Sequence, residues 1–238
     1  MTIIFELITI SMNNITSNIK FILNPNLYKK DPMNSELGKN IIEHSIDLIN
    51  ELGFENFTFR KLSTHFGTTE ASIYRYFDNK HQLLSYLITW YWHWMNYRLN
   101  NATLNITDPS IRLQNSIKCL TEEIKKDGDF KLINEQKLHE IVITESSKVY
   151  LSKSVDKDNE SGYFTIYKSV VQKVSDLILE IRPGYKYPHM LVSTIIEGAH
   201  HQRFFAEHLP RLTDQLKNED SVTQFYVELV RKELNIEK

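Results

Sequence analysis

Residues 58–80 read TFRKLSTHFGTTEASIYRYFDNK, and this stretch decides the fold. Thr58 stands where a helix N-cap belongs, since its hydroxyl accepts an orphan amide of the opening turn. Phe59, Leu62 and Phe66 recur at helical spacing, and Gly67 follows in the place of a left-handed C′ residue. Thr68 or Thr69 opens a second helix, in which Ile73 and Phe77 lie four apart on one face. Asp78 and Asn79 break that helix and cap the next, which Lys80 begins. Two helices crossing through a short turn that contains Gly make a helix-turn-helix, about residues 58–77. The second helix of such a pair enters the DNA major groove.

The pattern Thr58, Arg60, Leu62, Gly67, Thr69, Ser72, Ile73, Tyr74, Tyr76, Phe77, Lys80 and Leu83 resembles the TetR family of transcriptional regulators, without gaps. The preceding helix, ending Leu52-Gly53-Phe54, fits as well, so the resemblance spans about residues 35–95. It implies an all-α protein, with a three-helix DNA-binding head at 34–95 and a helical regulatory and dimerisation domain at 96–238. It implies phosphate contacts from Thr58, Arg60, Tyr74, Tyr76 and Lys80, which position the protein. Base-edge contacts, which specify sequence, fall to Thr69, Glu70, Ala71, Ser72 and Arg75. Four positions depart from the family's usual residues: Ser63 and Phe66 for Ala, Thr68 for Val, and Glu70 for a basic or small polar residue. Glu70 either accepts from cytosine N4 or repels phosphate.

With 238 residues, 41% of them hydrophobic, the chain is long enough to bury a sizeable core as one or two domains. A net charge of −2 gives no global sign of a nucleic-acid partner. Residues 34–94 hold five basic against seven acidic residues, but residues 58–81 hold four against two. Positive charge gathers where DNA docks, and so small an excess predicts modest, salt-sensitive binding. The single cysteine, Cys119, excludes an intramolecular disulfide and suits a reducing cytoplasm. It falls on an apolar helical stripe and reads as a buried core thiol.

No apolar run reaches the roughly 18 residues of a membrane span, and no basic leader or cleavage site marks a signal peptide. Residues 1–33 read as a poorly ordered arm, rich in Asn and Pro over 24–32, with Lys29 and Lys30 placed to touch DNA backbone.

Downstream the periodicity predicts helices only. The helix opened by Lys80 runs through Trp90 and Trp94, apolar nearly all round. Asp108-Pro109 caps a stripe of Leu113, Ile117, Leu120 and Ile124 that closes at Asp127-Gly128-Asp129. A shorter helix carries Leu138, Ile141 and Val142, and residues 152–162 read as a polar loop. Long stripes follow from Phe164 to Ile181, from Pro188 to Leu209, and from Ser221 onward.

The last two helices, about 188–209 and 221–234, carry wide apolar stripes, and Gly198-Ala199 leaves room for a neighbouring helix. The resemblance implies a homodimer formed there, as a palindromic operator requires. Trp90, Trp94, Tyr97, Phe164, Tyr167 and Phe204 are the aromatic candidates for the wall of a pocket taking a small, mostly apolar effector. By the resemblance, that effector shifts the dimer off DNA.

No cofactor is implied. His200-His201 with His93, His139 or His208 lacks the spacing of a metal site. No nucleophile elbow, P-loop or glycine fingerprint suggests an enzyme. A second reading keeps the fold but makes binding of a protein partner at DNA the main role, marked by an exposed apolar or acidic patch in place of an enclosed cavity.

Overall fold

A computed structural model describes residues 21–125, 132–217 and 219–236, and among these every regular element is a helix. In chain order they are α1 (Glu36–Asn56), α2 (Phe59–His65), α3 (Glu70–Tyr74), α4 (Lys80–Thr103) and α5 (Pro109–Thr121). After these come α6 (Glu135–Glu145), α7 (Ser147–Tyr150), α8 (Val155–Glu160), α9 (Thr165–Ile181), α10 (Pro188–His208) and α11 (Ser221–Leu234). The described residues form two compact units. The first holds residues up to 91 and those between 124 and 163, and the second holds 92–123 and the residues from 164 onward.

In the first unit α1 starts at Ser35, whose hydroxyl accepts the Gly38 N–H at 3.1 Å. Its stripe of Ile41, Ile42, Ile46, Leu48 and Ile49 is buried. Gly53, at φ +73°, interrupts the helix where the sequence expected it to stop, and one further turn leads to Asn56. Gly67 takes the same left-handed φ between α2 and α3, a region open to Gly at little cost. Phe59 and Leu62 from α2, with Ile73 and Phe77 from α3 and its end, close the core of the corner.

Helix α6 packs along α1. Lys137 pairs with Asp47 at 2.6 Å and Asn50 donates to Glu140 at 2.6 Å, so the contact is fastened by polar groups along its length.

Two expectations change here. Residues 21–33 are packed in place: Leu27 is fully buried, the Lys29 N–H donates to the Tyr76 carbonyl at 2.8 Å, and Asn24 donates to the Ser161 carbonyl at 2.7 Å. Residues 1–20 lie outside the described residues. The polar segment 152–162 contains helix α8, because tertiary contacts override its composition. Asp158 is buried there, with its Oδ2 at 3.0 Å from His81 Nε2 and 2.9 Å from the Ser154 hydroxyl that donates to it.

In the second unit α9 packs on α5 and α10, and α11 packs on the same two helices. Asp108 caps α5 through the Ser110 N–H at 2.7 Å, with Pro109 in the first turn as the sequence predicts. The helix ends at Thr121, earlier than expected, and Asp127-Gly128-Asp129 lies outside the described residues. Leu113, Ile117, Val174, Ile178, Val192, Ile195, Val222, Tyr226 and Val230 make the core. Cys119 lies in it, and burial pushes its thiol up to about 11.

Gly198 has a different neighbour from the one expected. A Cβ there would strike the Tyr226 hydroxyl, so the room it leaves is taken by α11 of the same chain.

Candidate nucleic-acid interface

Both helices of the corner are fixed by threonine caps. Thr58 Oγ1 accepts the Lys61 N–H at 3.2 Å, and Thr69 Oγ1 accepts the Ser72 N–H at 3.2 Å. The Thr69 and Ser72 hydroxyls also share a hydrogen bond of 2.9 Å, which ties two of the five expected base-reading side chains to each other. Glu70 sits in the first turn of α3, where the positive end of the helix dipole favours a carboxylate. Thr58, Arg60, Thr69, Ala71, Tyr74 and Arg75 are exposed, and Glu70 and Ser72 are half-buried. Tyr74 is 45% exposed, its ring held edge-on against Phe59 at 5.1 Å, so packing aims its hydroxyl end outward.

The unusual residues of the corner are absorbed by its packing. Ser63 is buried and donates to the Arg60 carbonyl at 2.9 Å, and its own carbonyl accepts the Thr68 N–H at 2.9 Å. Phe66 stacks on His44 at 5.1 Å and an interplanar angle of 16°.

Two residues expected to meet phosphate have partners within the head: Tyr76 is buried, and Lys80 is half-buried. Tyr76 is 2% exposed, and its hydroxyl lies 2.7 Å from Ser35 Oγ, the cap of α1. Lys80 donates to the carbonyls of Phe54 at 2.9 Å, Glu55 at 3.1 Å and Phe57 at 3.2 Å, which the break at Gly53 leaves open. Lys29 is also engaged, in a pair with Asp78 at 3.0 Å. Of the five residues expected to meet phosphate, Thr58, Arg60 and Tyr74 are exposed.

Sequence reading missed one element of this region. Glu145, at the end of α6, is buried and accepts the Phe54 N–H at 3.1 Å. Lys148 bridges Glu145 at 2.5 Å and Glu55 at 3.1 Å, and its hydrogen bond holds the Glu55 carboxyl below the usual carboxylate range. Partners 91 residues apart leave no local signal.

The six aromatic pocket candidates are divided between the two units. Trp90 belongs to the first unit and the other five to the second. Trp94 is buried under the Arg98 guanidinium at 4.8 Å, Tyr167 stacks on Trp92 at 4.0 Å, and Phe204 tilts against His208 at 4.4 Å. Two cavities of the second unit, about 380 Å³ between α5 and α11 and about 270 Å³ among α4, α5 and α9, are lined by other residues. Among the described residues no three His, Cys, Asp or Glu side chains are grouped to hold a metal, and no helix is long and apolar enough to cross a membrane.

A capped corner that presents the exposed start of its second helix is the helix-turn-helix arrangement. Residues 41–87 match the family model described as bacterial regulatory proteins, tetR family. That match covers the helix-turn-helix and the helices on either side of it, so the head of this chain is similar to a TetR-type domain.

The fold extends over most of the chain in solved structures. The superantigen PfiT aligns at a TM-score of 0.56 and 16% identity, over 85% of this chain and 97% of that one. The fatty acid degradation regulator FadR from Bacillus halodurans aligns at 0.55 and 18%, over 82% and 96%. AibR, in complex with isovaleryl coenzyme A and operator DNA, aligns at 0.52 and 14%, over 83% and 97%. At such identities these likenesses establish the fold alone. No curated protein matches the chain in sequence.

Proposed function

We propose that the protein is a cytoplasmic, sequence-specific transcriptional repressor that binds a palindromic operator as a homodimer and is released by a small, mostly apolar ligand. The observation that carries this reading is the exposed start of α3. Thr69, Ala71, Tyr74 and Arg75 project from a helix whose Ile73 is fully buried. Arg60 and Tyr74 position the head on phosphates, and Thr69, Ser72 and Arg75 meet base edges. One head reads only a few base pairs, so specificity calls for two heads on two half-sites about one helical turn apart.

Met190 on α10 and Phe225 on α11, 66% and 57% exposed, support a dimer through about 188–209 and 221–234. Large exposed apolar side chains of this kind mark association surfaces. The cavities of the second unit support a ligand site there, and AibR shows that a chain of this fold accommodates both a ligand and operator DNA.

The test is selection of bound sequences from random duplex DNA at low salt with the purified protein. An enriched palindrome is the expected outcome. Absence of any enrichment, with Glu70 at the reading edge, would remove operator recognition from this head.

A further inference from the structure

We infer that the smaller cavity of the second unit binds the carboxylate head of a small amphiphilic acid, with Lys173 as charge partner and the Arg112 Nε–H as second donor. The inference rests on the reading of a ligand-controlled regulator and gives its effector a chemical class. The cavity measures about 270 Å³ and opens among α4, α5 and α9, with Leu99, Val174 and Leu177 as its apolar wall.

Lys173 lines this space from α9 and donates to the side-chain carbonyls of Asn96 at 2.6 Å and Asn100 at 2.8 Å. Both partners are neutral amides. Partial burial draws the pKa of this ammonium below the ordinary lysine value, as expected for a cation that has lost water without gaining an anion. Arg112 lines the same space from α5. One of its terminal nitrogens donates to Glu180 at 2.6 Å, while its Nε is buried with no acceptor. A buried donor left in that state is unfavourable until an acceptor arrives.

Two acids also line the cavity, and both are engaged. Glu180 accepts from Arg112, and Asp176 accepts from Gln172 at 2.7 Å. An entering carboxylate offers acceptors to both waiting donors, and charge-assisted bonds of this kind are the strong ones. An amide of the same shape offers one oxygen and no charge. The volume sits just below the range of about 300–1,000 Å³ usual for drug-sized ligands, which favours a short-chain or single-ring acid.

The experiment is calorimetric titration of the full chain with hexanoate and benzoate against hexanamide and benzamide. The acids bind at least about tenfold more tightly than their amides. Lys173→Met loses that preference and Lys173→Arg keeps it. Equal binding of acids and amides, no binding of either acid, or an unchanged preference in Lys173→Met would each overturn the inference, and the first two need no variant. DNA affinity measured in parallel separates the two readings. Acid binding that leaves the DNA complex intact keeps the site and removes effector control. DNA binding without acid binding removes the site alone.

Discussion

The Lys80 ammonium lies 2.9 Å from the Phe54 carbonyl oxygen and 4.6 Å from the Phe54 ring centroid, so the residue that opens α4 is fastened to the broken end of α1. Three carbonyls and a ring face share one cation. Lys80→Ala leaves these acceptors open and is expected to cost about 1–3 kcal/mol of stability. Urea unfolding reads this directly. A variant with unchanged stability but lost DNA affinity would instead support a phosphate-contacting role for Lys80.

Tyr74 and Tyr76, two residues apart, are expected to separate DNA binding from folding. Tyr74→Phe removes an exposed hydroxyl, so stability stays within about 0.5 kcal/mol while affinity for the selected duplex falls several-fold. Tyr76→Phe removes the bond to Ser35 and costs about 1 kcal/mol of stability, with affinity of the folded protein unchanged. Fluorescence anisotropy on labelled duplex, beside urea melts, distinguishes the two. Equal behaviour of both variants would contradict this placement.

The corner itself was legible because its signals are local. Thr58 and Thr69 cap helices that begin one residue later, and Gly67 marks the turn between them. The roles of Tyr76 and Lys80 were not legible, because each is decided by a distant partner. Ser35 lies 41 residues before Tyr76, and the carbonyls held by Lys80 lie 23 to 26 residues before it. Segment 152–162 failed for the same reason, since Asp158 is stabilised by His81, 77 residues away. Burial of Trp94 followed from its apolar helix, but burial does not distinguish a core residue from a cavity wall.

Gly198 and Tyr226 supply a test of packing in the second unit. Gly198→Ala drives a methyl group into the Tyr226 hydroxyl, with the ring carbon that bears it only 3.1 Å away. Overpacking of this kind costs about 1–3 kcal/mol. Tyr226→Phe in the Gly198→Ala background vacates the space and is expected to recover part of that loss, a positive coupling visible in a double-mutant cycle. Strict additivity would mean that the two residues do not meet.

Stability is expected to fall below neutral pH through His200. Burial, with His201 beside it, lowers its pKa from 6.5 to about 4. Below pH 6.5 the unfolded chain takes up a proton that the folded chain refuses until about pH 4. This contribution is therefore fully present above pH 6.5 and is lost as pH falls toward 4, by about 2 kcal/mol between pH 7.5 and 5. Burial shifts His93 in the same direction. Urea midpoints for wild type and His200→Gln at those two pH values provide the comparison, and the variant should show the smaller loss. Parallel losses would assign the acid sensitivity to other groups.

Phe225 and Leu229 lie one turn apart on α11, 57% and 38% exposed, while Val222, Tyr226 and Val230 of the same helix are buried. The helix thus has two apolar faces, and its own fold covers only one. If the outer face joins two protomers, Phe225→Glu puts a charge where an aromatic side chain loses its water on association. Such anchors are typically worth about 2 kcal/mol or more. Sedimentation velocity should show the wild type as a dimer and the variant shifted toward monomer, with the thermal melt of the monomer unit preserved. The variant should also lose affinity for the full palindrome while keeping its weak affinity for an isolated half-site. A variant that remains dimeric would move the interface elsewhere. A wild type that is monomeric while bound to its selected DNA would remove the need for two heads, and with it the palindrome.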